Sequence, residues 1–174
     1  VSQLKYWGLS YIKRAQLTLE EAKSELMRLL RSSVMLRLRS DVPLGVFLSG
    51  GIDSSTITAI MADLAPGRVR SFSIGFDDPS FDESFWAESA SRYIGTDHNR
   101  DMLSPTRLLE LIPAIGNILD EPLGDASLVP TYLLSRFARE QVTVALGGDG
   151  GDELFAGYPT YQAHRLAMLF EMFP

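Results

Sequence analysis

The sequence predicts an α/β protein, a parallel sheet with helices on both faces, and three observations carry that expectation. Short β-favouring runs (Leu44–Leu48, Val69–Phe76, His98–Leu103, Val142–Leu146) alternate with longer stretches of helical period, the order that builds right-handed βαβ crossovers. Capping residues, a proline start and a glycine stop punctuate the helical stretches. Glycine-rich polar loops follow the first and fourth β-runs, at the strand ends where open parallel sheets receive ligands.

In chain order, residues 1–17 carry Tyr6, Trp7 and Tyr11 without a sustained period and read as an interdomain linker or arm, or equally as a frayed end. Residues 18–174 form the domain. Thr18 and Glu21 make a capping box, after which Leu19, Ala22, Leu26, Leu29, Leu30 and Ser33 share one face of a helix running to about Leu38. Arg28, Arg31, Arg37 and Arg39 form its solvated side, with Arg39 close enough in sequence to the next loop to be weighed as a phosphate contact. Asp41-Val42-Pro43 turns into the first strand. Beyond the loop, a helix from Thr56 closes near Ala65-Pro66-Gly67.

Val69–Phe76 alternates as a second strand ended by Asp77-Asp78-Pro79, acids that read as turn formers rather than metal ligands. Glu83–Ile94 is a helix stopped by Gly95, and His98 opens the third strand as a structural or surface histidine. Ser104-Pro105 starts a helix to about Leu119. The acidic loop Asp120–Ser127 either contacts substrate or caps the helix Leu128–Arg139. Val142–Leu146 is the fourth strand, and Thr160–Phe173 reads as an amphipathic helix.

Composition narrows the function classes. At 174 residues and 45% hydrophobic, the chain buries one sizeable core. No cysteine is present, which excludes a disulfide framework, a thiolate metal site and a cysteine nucleophile within this chain. A net charge of −6 argues against a nucleic-acid partner. The cysteine-free composition suits a cytoplasmic setting, and no apolar run approaches the ~20 residues of a membrane span, so no membrane partner is expected. All three lysines, Lys5, Lys13 and Lys23, precede the first glycine loop. The chain starts at Val1 and stops after an apolar helical stretch, and is read as a piece of a longer protein whose sheet is completed beyond Pro174.

The chemistry concentrates in Val46–Ser55, read as strand, tight turn and helix. Gly50 and Gly51 let the backbone approach a ligand, the opening N–H groups and dipole of the helix favour an anion, and Ser49, Ser54 and Ser55 add hydroxyl donors. Asp53 does not suit a bare phosphate site. Its carboxylate repels the ligand unless a divalent cation intervenes, and Mg²⁺ is commonly held by one or two carboxylates plus phosphate oxygens. A nucleotide with Mg²⁺ is therefore expected, against the plainer alternative of a glycine-rich turn with an acid at a helix start. A Walker A ending and the dinucleotide spacing are both missing.

SGGIDSS resembles the PP-loop of ATP pyrophosphatases, which cleave ATP between its α and β phosphates to adenylate a substrate. In the 3-2-1-4-5 strand order of PP-loop proteins the first and fourth strands are neighbours. The loop Gly147–Glu153, four glycines and three acids in seven residues, would then meet the first loop, and Asp53 and Asp152 could share one Mg²⁺. Gly147 and Gly148 would admit the nucleotide, while Ile74 could offer adenine an apolar contact and backbone hydrogen bonds.

SGGIDSS, SFSIGF, DEPLGDAS followed by LVPTYLLS, and GGDGGDELFAGY, in this order over roughly residues 40–160, resemble the synthetase domain of glutamine-dependent asparagine synthetases. Residues 18–174 would be the N-terminal part of that PP-loop domain. The resemblance implies that ATP and Mg²⁺ activate the aspartate side chain as β-aspartyl-AMP with release of pyrophosphate, and that ammonia then gives asparagine and AMP. Carried over, Ser49, Gly50, Gly51, Asp53, Ser54 and Ser55 hold pyrophosphate; Asp53 and Asp152 bind Mg²⁺; Leu48, Ile74, Gly147 and Gly148 contact the adenylate. Asp149, with Asp53, stands among the catalytic positions, in a place where some relatives carry Glu.

The resemblance also implies aspartate and ammonia as substrates, a glutaminase domain elsewhere in the full-length chain, and a homodimer as one option for assembly. Two departures follow from the sequence: no glutaminase half with its N-terminal cysteine is present, and the lysine that the family closes over the transition state would lie further along the chain, with no lysine here to replace it. The isolated segment is expected to bind ATP·Mg²⁺ weakly and turn over poorly. Alternatives are a related amidotransferase or β-lactam-synthetase-like enzyme acting on another carboxylate, and, from a different class, a non-catalytic nucleotide-binding module.

Overall fold

A computed structural model describes residues 3–6, 8, 16–121 and 123–170, with the backbone alone over 168–170. Most of the expected arm 1–17 and the end of the final helix lie outside the described residues. The chain order is α1 (Leu19–Arg37), β1 (Leu44–Phe47), α2 (Ile52–Leu64), β2 (Arg70–Phe76), α3 (Ser84–Ile94), β3 (Asp97–Leu103), α4 (Pro105–Gly116), α5 (Leu128–Arg139), β4 (Val144–Leu146), α6 (Gly151–Phe155) and α7 (Pro159–Phe170).

The four strands form one parallel sheet in the order β3-β2-β1-β4. The first and fourth strands are neighbours, as the PP-loop resemblance implies: Leu44 pairs with Val144 and Val46 with Leu146. Chain direction reverses its progress across the sheet at β1, so the β1/β4 boundary is the crevice where such sheets bind ligands.

Alternation along each strand sends side chains to two helical layers. Val46, Val69 and Leu146 pack with Val34 of α1 and with Ile60 and Met61 of α2. Phe72 and Val142 pack with Ala138 of α5, and Leu103 packs with Leu111 and Ile115 of α4 and Leu133 of α5. Phe72, Leu48, Leu133 and Val46 are essentially inaccessible, and full burial of such side chains contributes about 1.5–3 kcal/mol each.

Strand β2 alternates, but its serines do not face water. Ser71 and Thr96 hydroxyls bond at 2.7 Å, Ser91 and Thr96 at 2.8 Å, and His98 joins Ser71 through Nδ1 at 2.9 Å and Ser73 through Nε2 at 3.1 Å. These bonds tie β2, β3 and α3 together across a buried polar layer. Burial holds the His98 imidazole below its ordinary pKa, with the Glu88 carboxylate opposing and Arg100 reinforcing that shift. His98 is structural, as read from the sequence.

Helix ends follow local chemistry. The Thr18–Glu21 capping box is formed, Thr18 donating its backbone N–H to Glu21 Oε2 at 2.8 Å and Glu21 donating its own to Thr18 Oγ1 at 3.3 Å. Gly95, at φ 85°, closes α3 in the left-handed conformation. Several elements differ from expectation: α2 starts at Ile52 rather than Thr56, α4 stops at Gly116 short of Leu119, β4 starts at Val144 rather than Val142, and a five-residue helix, α6, follows β4. No helix among the described residues is long and apolar enough to cross a membrane.

Candidate active site

The loops leaving β1 and β4 wall a cleft of about 1180 Å³ together with the end of β2, the loop into α3, and α5. The early start of α2 shapes the first loop. Ser54, inside the first turn, turns its hydroxyl back to the loop: it lies 2.9 Å from the Ser49 hydroxyl, accepts the Ser49 backbone N–H at 3.2 Å and donates to the Gly51 carbonyl at 3.3 Å. Ser49 Oγ accepts the Gly51 N–H at 3.2 Å. This mesh fixes the turn without using the free N–H groups at the start of α2, which remain available to an anion. Asp53 sits in that first turn.

Gly50 has φ 86°, and a Cβ there would lie 2.6 Å from Ala87 N and from Trp86 Cβ. The loop therefore rests directly on the backbone of α3, and only glycine fits. Gly148 makes the matching approach between loops: its Cβ would lie 2.7 Å from Ser54 N and 3.0 Å from the Asp53 carbonyl carbon. The second loop thus stacks on the start of α2.

Leu48, Ser49, Gly51, Asp53, Ser54, Ile74, Gly147, Gly148, Asp149 and Asp152 all line the one cleft. Gly50 and Ser55 do not. Gly50 lies beneath the loop against α3, and the Ser55 hydroxyl is buried with no hydrogen-bond partner. Arg39 is exposed and outside the cleft lining. The described residues of the loop Asp120–Ser127 do not line the cleft either; Asp125 Oδ1 accepts the Ser127 N–H at 2.8 Å ahead of α5.

Phe81 and Glu83 line the cleft although no motif of the sequence contains them. Both come from the β2–α3 loop, held by Asp82, whose carboxylate accepts the Phe76 N–H at 3.2 Å and the Ser84 hydroxyl at 2.8 Å. Those bonds keep the Asp82 carboxyl below its ordinary pKa in spite of desolvation, the largest influence, which acts the other way. Pro130, Thr131 and Leu134 of α5 and Tyr158 complete the wall. Tyr158 Oη donates to Glu153 Oε1 at 2.8 Å, and that bond pushes the phenol up to about 12.

Electrostatics decide what the cleft can accept. Its described lining contains Asp53, Glu83, Asp149, Asp152 and Glu153 and not one lysine or arginine. A polyphosphate entering alone would meet hydroxyl donors but only repulsion from the charged side chains, so the donor set fits a hard divalent cation that takes carboxylate and phosphate oxygens together. No cluster of three or more His, Cys, Asp or Glu side chains with metal-holding geometry occurs among the described residues. That is compatible with Mg²⁺, which takes one or two carboxylates and leaves its other positions to phosphate and water.

Comparison with known proteins bears on family and fold. A 39% identical relative, the glutamine-hydrolyzing asparagine synthetase 1 of Bacillus subtilis, aligns over 82% of this chain and 22% of its own length. A Methanocaldococcus jannaschii protein, provisionally named glutamine-hydrolyzing asparagine synthetase 2, is 42% identical over 90% of this chain and 30% of its own length. The chain thus spans less than a third of these relatives. Among solved structures, an NH3-dependent NAD synthetase from Campylobacter jejuni superposes with a TM-score of 0.52 at 14% identity, over 78% of this chain and 60% of that one, a likeness of fold. Residues 25–173 match the family described as asparagine synthase, and with the parallel β3-β2-β1-β4 sheet and its paired loops this places the chain in the asparagine synthase family.

Proposed function

We propose that this chain carries the nucleotide-binding, carboxylate-activating part of a glutamine-dependent asparagine synthetase. The observation that supports it most is the meeting of two acidic glycine loops, Gly148 lying against Asp53 and Ser54, at the carboxyl ends of adjacent strands. In this reading the first loop and the start of α2 hold the pyrophosphate part of ATP, while Leu48, Ile74, Gly147 and Gly148 receive the adenylate. Ser55, outside the cleft lining with its hydroxyl buried, is not among the nucleotide contacts in this reading. Asp53 and Asp152 hold Mg²⁺, which when bound neutralises charge on the departing pyrophosphate.

The aspartate side-chain carboxylate attacks the α-phosphorus, and the bond to the bridging oxygen of pyrophosphate breaks. Ammonia then attacks the acyl carbon, the bond to AMP breaks, and a proton leaves the new amide nitrogen. In this reading Asp149, a carboxylate lining the same cleft, receives it. Orientation within the cleft contributes much of the remaining acceleration. The relatives' names give asparagine synthesis and glutamine hydrolysis; aspartate as acceptor, ammonia from a glutaminase domain and the steps of the reaction are what the family resemblance implies, and belong to the full-length protein.

The test is aspartate-dependent ATP–pyrophosphate exchange by the full-length protein, alone and with Asp53→Asn or Asp152→Asn. Each substitution is expected to lower exchange on the order of 10²-fold, the scale of losing one group that stabilises developing charge. Exchange driven by another carboxylate but not by aspartate would move the assignment to a related amide-forming enzyme. ATP binding indifferent to Asp152→Asn, with no exchange under any carboxylate, would leave a non-catalytic nucleotide module.

A further inference from the structure

The second glycine loop holds more glycine than its backbone requires. Of Gly147, Gly148, Gly150 and Gly151, only Gly150 has a positive φ, at 87°, and Gly157 beyond α6 has none. Gly148 is explained by its approach to the backbone of Asp53 and Ser54. Gly147, Gly151 and Gly157 share a different environment: each underlies a carboxylate. A Cβ on Gly151 would lie 2.5 Å from Asp53 Oδ2 and 2.9 Å from Oδ1, where ordinary contact begins at 3.4 Å. A Cβ on Gly157 would overlap Asp152 Oδ1 and lie 2.9 Å from its Cγ. A Cβ on Gly147 would overlap Asp149 Oδ2.

We propose that Gly151 and Gly157 are positioning residues, Cβ-free seats on which the carboxylates of Asp53 and Asp152 lie so that both face the same metal. This rests on the reading of those two acids as the Mg²⁺-holding pair. The seats are crossed: Gly151 belongs to the second loop and orients the acid of the first, while Gly157, on the far side of α6, orients an acid five positions earlier. The first seat therefore fixes Asp53 only once both loops are in place. At Gly151, every atom met within 3.0 Å is the end of a flexible side chain rather than backbone. An alanine there is accommodated by turning the carboxylate away, so the fold survives while the ligand moves. At Gly157 the nearest backbone atom, Asp152 Cα, is 3.2 Å away, and turning the side chain again relieves most of the overlap.

The experiment uses the full-length protein and Mn²⁺ as the probe, titrated in the presence of ATP and followed by electron paramagnetic resonance, with thermal melting in parallel. Gly151→Ala and Gly157→Ala are each expected to weaken Mn²⁺ on the order of tenfold, the scale seen when a group that orients a metal ligand is lost, with melting temperatures within about 2–4 °C of the parent. Gly67→Ala, which meets nothing within 4 Å, should change neither reading. On an Asp152→Ala background, Gly157→Ala should add no further loss, and likewise Gly151→Ala on Asp53→Ala.

Full additivity on those backgrounds overturns the proposal, as does unchanged Mn²⁺ affinity in both glycine variants while the aspartate variants lose it. Should Gly157→Ala melt much lower, the double variant with Asp152→Ala decides: recovered melting supports the seat, and no recovery overturns it. If Asp53→Ala and Asp152→Ala both leave Mn²⁺ binding unchanged, the metal reading falls and the seats with it.

Discussion

Gly50 and Gly95 form a matched pair for measuring how hard the first loop presses on α3. Their φ angles are 86° and 85°, so an alanine at either carries the same left-handed strain, about 1–2 kcal/mol. Their surroundings differ. A Cβ on Gly95 meets nothing within 4 Å, whereas one on Gly50 lies 2.6 Å from Ala87 N and closer still to the Trp86 carbonyl carbon. Those are backbone atoms of a packed helix and cannot swing aside, and overpacking of this kind costs about 1–3 kcal/mol.

Gly95→Ala is therefore expected to cost about 1–2 kcal/mol and Gly50→Ala about 2–5, the sum of both effects, against a typical domain stability of about 5–15. Urea denaturation of the full-length protein, followed through the unfolding of this domain, measures both, and equal m-values would show that the folded state alone is changed. Equal costs for the two variants would refute the reasoning, because they would mean the loop does not rest on α3.

Two further outcomes follow from the core and the buried polar layer. Leu133, fully buried between α5, α4 and β3, should cost about 2–5 kcal/mol when changed to alanine, read by the same denaturation; a cost under 1 would place it outside the core. His98 binds a proton less readily folded than unfolded, because burial lowers its pKa more than Glu88 raises it. Below the ordinary value of about 6.5 the unfolded chain takes up that proton first, so stability is complete above this value and falls as pH drops below it. His98→Gln should flatten that slope, and an unchanged slope would assign it to other groups.

Much of the fold was legible because burial and period agree over long stretches. Helix α1 announces itself by its capping box, α3 by Gly95, and strands β1 and β2 by runs that the sheet buries. The site was legible in part, because both acidic glycine loops stand out against the rest of the chain. What was hidden depends on contacts between distant segments. Ile52, Asp53 and Ser54 read as loop from their polar, glycine-flanked context, yet the Ser49–Ser54 hydroxyl bond and the packing of Gly148 let the helix begin there.

Helix α6 opens on glycines, among the poorest helix formers, and nothing local predicts it. Val142 reads as strand but spends its side chain in the core beside Phe72 and Ala138, just before β4 starts. Glu83 and Phe81 reach the cleft only because Asp82 folds their loop back onto β2, a bond between Asp82 and Phe76 that no periodicity encodes.

The strand order also sets when the cleft can exist. Gly45 pairs with Arg70, a short way along the chain, but Leu44 pairs with Val144, a hundred positions on. Lengthening the closed loop fourfold between those two pairings costs only about 1.2 kcal/mol of extra entropy, so the delay is one of order rather than of stability. As the chain emerges from the ribosome, β1, β2 and β3 can assemble while the outer edge of β1 is still bare and the loop at Asp53 has no opposite wall. The cleft closes only with β4, and a chain interrupted before Val144 would hold three of the four described strands and only the first of the two acidic glycine loops.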